Sequence, residues 1–144
     1  MDNKKLFEFV HNCIVTASQT AYISHDTTTF ELLGNMDKVF KYISKNMLNV
    51  TLFNEIEILE KYLQIQRIRT GNRFEAELFN DETYKNCYIN HLSVIEFFDK
   101  IFEIALDKYE GEIKFIMGFD IEHLKSFKVI VNSEGSIETF VTEL

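Results

Sequence analysis

The stretch "TLFNEIEILEKYLQIQRIRTGNRFEAEL" (51–78) changes its hydrophobic period midway, and that change narrows the possible folds more than any other feature of the chain. Leu52, Ile56, Leu59 and Leu63 recur at helical spacing, whereas Phe74, Ala76 and Leu78 alternate after Gly71 and line one side of a strand. A helix that feeds directly into a strand calls for a mixed architecture. Thr51 suits the N-cap of this helix, and Glu55 and Glu57 stand near its positive N-terminal end.

The residues before this joint read as purely helical. Residues 3–23 place Leu6, Phe9, Val10, Cys13, Ala17 and Ala21 on one stripe. "SHDTTT" (24–29) interrupts the pattern with turn chemistry, and Thr28 followed by Glu31 has the spacing of a capping box. A second helix then runs to about Lys45, with Phe30, Leu33, Met36, Val39, Phe40 and Ile43 as its apolar face. Two such helices joined by a short loop make an antiparallel hairpin. One hairpin cannot cover both stripes, so a second copy in a dimeric four-helix bundle, or the rest of the chain, must pack on it.

After the joint, strands are expected at 73–79 and 83–89, separated by Asn80-Asp81. "LSVIEFFDKIFEIALDK" (92–108) reads as an apolar helix lying across a sheet. "GEIKFIMG", "SFKVIVN" and "SIETFVTEL" read as three further strands, with turns at 119–125 and 132–135. The fold class is therefore α+β, divided at 1–48 (helical hairpin) and 49–144 (linking helix and a small α/β layer).

Composition limits the function classes. With 46% hydrophobic and 26% charged residues, the chain is a folding globular protein. A net charge of −8 argues against nucleic acid, whose backbone demands clustered Lys and Arg. No apolar run is long enough to insert in a membrane, and "MDNKK" leads into no signal-peptide core. Cys13 and Cys87 are isolated thiols without metal spacing, which fits a reducing, cytoplasmic setting. The chain has no proline and five glycines, a poor supply for the glycine-rich loops that cradle phosphates.

The string Tyr62-Leu63-x-Ile65-Gln66-x-x-Arg69, with Thr51-Leu52 and Glu55 before it and Gly71-x-Arg73-Phe74 after it, resembles the segment that links the two domains of autolysis-sensor-type bacterial sensor histidine kinases. The resemblance implies a dimerising hairpin that carries a phosphorylated histidine, followed by an ATP-binding α/β domain. It also implies a homodimer, with a response regulator or a histidine kinase as protein partner.

Against that family's pattern the chain departs at several positions. The family's Asn-Pro-His-Phe, laid without gaps, falls on Asn3-Lys4-Lys5-Leu6 and places Lys5 where the phosphoacceptor belongs. Its Glu-Asn pair, whose asparagine helps hold Mg²⁺ and phosphates, corresponds to Glu103-Ile104, and isoleucine offers a hard cation no oxygen. Its Asp-x-Gly box corresponds to Asn132-Ser133-Glu134-Gly135; the acid is replaced, and nine residues follow in place of a glycine-rich lid. The resemblance so corrected implies a truncated, degenerate relative with no cofactor, acting by protein contact.

Four histidines remain, at 11, 25, 91 and 123, without metal-ligand spacing. His25 and His123 fall in turns, and His91 precedes a helix in a capping region. His11 lies about a right angle from the centre of the first apolar stripe, on a flank that a partner's aspartyl phosphate can reach. It is the candidate phosphoacceptor of an alternative reading, a phosphorelay phosphotransferase. Glu55/Glu57 and Glu110/Glu112 read as solvated acidic faces. Arg67, Arg69 and Arg73 read either as a partner contact or as partners for the chain's own carboxylates, the second being favoured.

Overall fold

The computed structural model describes residues 3–144. Its elements run α1 (Asn3–Ile23), α2 (Thr27–Ile43), β1 (Asn49–Thr51), α3 (Leu52–Thr70), β2 (Phe74–Phe79), β3 (Tyr88–Asn90), α4 (Ser93–Lys108), β4 (Ile113–Asp120), β5 (Ser126–Ser133) and β6 (Ser136–Glu143). Helices come first and an α/β layer follows, so the α+β class holds.

The turn between α1 and α2 is tighter than the expected capping box allows. Asp26 is the N-cap: one carboxylate oxygen accepts from the Thr29 amide at 3.0 Å, the other from the Thr29 hydroxyl at 2.6 Å. Helix α2 therefore begins at Thr27, and Thr28 and Glu31 lie inside it. His25 takes φ 56° to turn the chain. Tyr22 against Phe30 at one end, and Phe7 stacked on Phe40 at 4.8 Å near the other, make α1 and α2 antiparallel.

Helix α2 is covered on two sides. Its second neighbour is α3, where Asn35 donates to Gln64 at 2.9 Å, and Val39 and Tyr42 join the core of the α/β layer. The linking helix thus supplies part of the cover that a lone hairpin lacks. Thr51 caps α3 as its sequence suggests, accepting from the Asn54 amide. Gly71 ends the helix at φ 65°, a left-handed conformation that glycine adopts without steric cost.

The strand expected at 83–89 is mostly absent. Residues 82–84 form a single 3₁₀ turn capped by Asp81, and only Tyr88–Asn90 is extended. That segment pairs antiparallel with β1, a short strand whose three residues carry no alternation to mark it.

The main sheet has the order β2-β4-β5-β6. Strand β2 runs parallel to β4, with α4 in the crossover, and β4, β5 and β6 form an antiparallel meander. Glu134 (φ 51°) and Gly135 (φ 77°) close the tight β5–β6 hairpin, where both central residues need positive φ. Phe115, Met117, Phe127, Val129 and Val131 fill one face, beneath α3 and α4. The packing there is aromatic: Phe98 and Phe102 of α4 meet Phe74 and Phe115 of the sheet at centroid distances of 5.0–5.5 Å. The opposite face, including Glu75, Lys114, Lys128, Asn132 and Ile137, carries no helix.

Candidate functional site

The inner face of α1 is rotated from the stripe read in the sequence. Phe7, Val10, His11, Ile14, Ser18 and Ala21 are buried or half-buried, while Leu6, Phe9 and Cys13 are exposed. Polar and aromatic contacts set this rotation. Phe7 stacks on Phe40, and its other neighbour in the stack is the His11 ring, at 6.4 Å. His11 in turn reaches across the hairpin to Asp37 of α2, with Nδ1 2.6 Å from Oδ1. The histidine sits in the α1–α2 seam with 28% of its side chain exposed.

This pair fixes which ring nitrogen faces Asp37 and carries a proton. Partial burial works against charge on Asp37, but hydrogen bonds from Lys41 and His11, with their positive charges, outweigh it and hold its carboxyl below the usual range. An ionised carboxylate only accepts, so Nδ1 carries the proton and donates. In the neutral ring the lone pair is then on Nε2, which makes no hydrogen bond among the described residues. The second oxygen of Asp37 accepts from Lys41 Nζ at 2.8 Å, one helical turn on. Asp37 is thereby held from both sides. A histidine oriented through Nδ1 keeps Nε2 as its nucleophilic atom, and a carboxylate at Nδ1 offsets positive charge on the ring.

The other histidines do other things. His25 and His123 are exposed turn residues, the latter 3.2 Å from Asp120. His91 is half-buried, its Nε2 3.0 Å from the Tyr42 carbonyl and its ring edge-on to Tyr42. Lys5 is exposed on α1. Among the described residues, no group of three His, Cys, Asp or Glu is placed to hold a metal ion.

The positions that would serve ATP in the resembled family do not converge. Glu103 is paired with Arg69 at 2.5 Å, and Ile104 beside it is 55% exposed. Asn132 lies on the sheet face away from α4, because its neighbours Val131 and Ser133 are the ones turned inward. The acid of that turn, Glu134, accepts from the Glu110 and Gly111 amides at 3.0 and 3.1 Å and so ties down the α4–β4 loop. The three arginines are engaged within the chain. Arg67 lies over the Phe74 ring, Arg69 over Phe102, and Arg73 donates to the Gly111 and Leu106 carbonyls.

Residues 8–74 match the family model of the histidine kinases. They make up just under half of the chain and cover α1 from Glu8, the whole of α2, β1 and α3, and the first residue of β2. The match supports a signal-transduction protein related to the sensor histidine kinases. It contains His11 and Asp37, whereas Lys5 precedes it and Ile104 and Asn132 follow it. No curated protein matches the chain. No helix among the described residues is long and apolar enough to cross a membrane.

Two residues of this region escape a reading by periodicity. Asp37 occupies the inward stripe of α2 between Leu33 and Phe40, and an acid on an apolar stripe is its one signal. Glu55 carries the same signal in α3, between Leu52 and Leu59. It is not part of a solvated acidic face: Glu55 is 0% exposed, while Glu57 points to solvent. Buried donors from two other elements, the Tyr42 hydroxyl and the Leu92 amide, draw it inward.

Proposed function

We propose that this chain is a signalling protein of a two-component pathway that engages its partner through the helical hairpin (1–48), with His11 as phosphoacceptor. One observation carries the reading: the 2.6 Å contact that orients His11 against an ionised, Lys41-braced Asp37. In the proposed step, His11 Nε2 attacks the phosphorus of an aspartyl phosphate on a response regulator. The P–O bond to the aspartate breaks, its electron pair stays on the released carboxylate, and an N–P bond forms. The ring gains positive charge, which Asp37 offsets through the Nδ1 proton. Transfer of label from a phosphorylated response regulator to this chain is the deciding experiment.

The remainder of the chain (49–144) is proposed to act as a scaffold without nucleotide. Ile104, the Arg69-bound Glu103 and the displaced Asn132 support this. Calorimetry with Mg·ATP at millimolar nucleotide should give no saturable heat; a micromolar dissociation constant would overturn it.

A second reading, contact without transfer, is favoured by the apolar surface of the hairpin. Leu6, Phe9, Tyr22 and Ile23 are exposed, and a groove of about 870 Å³ runs between Leu6, Val10 and Phe40. The same surface supports a homodimer with a four-helix bundle. Phe9, 59% exposed, is the residue to probe, since Phe40 is stacked inside the hairpin and its loss would disturb the fold itself. Light scattering should give twice the chain mass of 17.0 kDa, and Phe9→Glu should reduce it to one. A single-chain mass for the wild type at high micromolar concentration would exclude the dimer.

A further inference from the structure

Glu55 is completely buried, yet only one of its oxygens is used. Oε1 accepts two hydrogen bonds, from the Tyr42 hydroxyl at 2.5 Å and from the Leu92 amide at 2.8 Å, and Oε2 has no partner. The two donors belong to different parts of the molecule. Tyr42 is in the last turn of α2, the second helix of the hairpin, and Leu92 is the residue from which α4 starts. A buried carboxylate needs every donor it has, so losing either one is strongly unfavourable.

The start of α4 has little else to hold it. Its N-cap, Leu92, is a branched residue at φ 68°, where a Cβ is strained, and no side chain of its own neighbourhood caps the helix. The acid that faces the positive end of α4 arrives from α3. Around it, the Tyr42 carbonyl meets His91 Nε2, the Tyr42 ring meets the His91 ring, and the His91 amide donates to the Leu48 carbonyl. The end of the hairpin and the entry to α4 are thus joined through a single buried side chain.

We infer that Glu55 is the coupling residue between the hairpin and the α/β layer: a displacement of α2 that withdraws the Tyr42 hydroxyl loosens the first turn of α4, and the reverse. This inference concerns only the chain's own elements and does not require His11 to be phosphorylated. The linkage is reciprocal, as any coupling between two sites must be.

Hydrogen exchange tests it on the full chain. Tyr42→Phe keeps the ring and removes one donor. It should speed exchange of the Leu92 amide and its neighbours through residue 96 by at least tenfold, with β4 and β5 unchanged. Exchange at 92–96 equal to wild type, or a rise shared equally by β4 and β5, would overturn the coupling and leave at most a general loss of stability. The Tyr42→Phe and Glu55→Leu pair supplies a second measurement. With the acceptor gone, adding Tyr42→Phe should change exchange at Leu92 less than twofold; a full tenfold effect in the Glu55→Leu background would equally overturn it. Should Glu55→Leu fail to fold, the single Tyr42→Phe comparison decides alone.

Discussion

The His11→Gln variant should take up no label from a phosphorylated response regulator, while the wild-type chain should acquire label that is acid-labile and base-stable. The effect is a complete loss, because glutamine has no lone pair suited to attack phosphorus. The fold should tolerate the change. The glutamine amide still donates toward Asp37 across the seam, so the cost in stability should stay near 1 kcal/mol, the scale of one hydrogen bond. Asp37→Asn keeps the shape of the contact and removes the charge that offsets the cationic ring. It should slow transfer by at least about tenfold without abolishing it. Asp37 has a carboxyl pKa below the usual range in the folded chain, so what the pair adds to stability is complete above the ordinary carboxylate range. That contribution is lost only as pH falls through the lower folded value, which urea unfolding across acidic pH can follow. Label that survives in His11→Gln would place the acceptor elsewhere. Tight partner binding without label in the wild type would favour the contact-only reading.

The sequence makes the elements legible and their rotations much less so. The break of period at Gly71, the Thr51 cap and the three C-terminal strands all appear where 3.6-residue and two-residue repeats place them. The rotation of α1 does not. Leu6, Phe9 and Cys13 form as good a stripe as Phe7, Val10 and Ile14, and hydrophobicity alone cannot choose between two apolar faces 100° apart. The choice is made by Phe40 and Asp37, residues about thirty positions away that stack on Phe7 and accept from His11. The burial of Glu55 departs from its expected solvated face for a related reason. Its burial is decided by donors at Tyr42 and Leu92, which no local pattern connects to it. Both departures share a signature, a charged residue on an inward stripe. In this chain that signature marks the two carboxylates that hold the helices in register. The short β1–β3 pair stayed hidden because three residues are too few to show any period.

The largest loss of stability should follow from Phe98→Ala. Phe98 is 0% exposed, and its ring meets Tyr62 of α3 at 6.1 Å, Phe102 of α4 at 5.8 Å and Phe115 of β4 at 5.3 Å. It therefore stands where three elements meet, and truncation leaves a void that none of them can close alone. The expected cost is about 3–5 kcal/mol, a large part of the roughly 5–15 kcal/mol that holds a domain together. Ile104→Ala, six residues further along the same helix but 55% exposed, should cost within about 0.5 kcal/mol. Urea unfolding separates the two: Phe98→Ala should lower the midpoint with little change in slope, and Ile104→Ala should leave both in place. A loss below about 1 kcal/mol for Phe98→Ala would mean that α4 does not seat on the sheet as described. The same curves report on the hairpin. Val39 and Tyr42 of α2 belong to one core with Phe98, so helical and aromatic signals should fall together in a single transition. A helical signal that outlasts the aromatic one in Phe98→Ala would show instead that α1 and α2 hold without the layer beneath them.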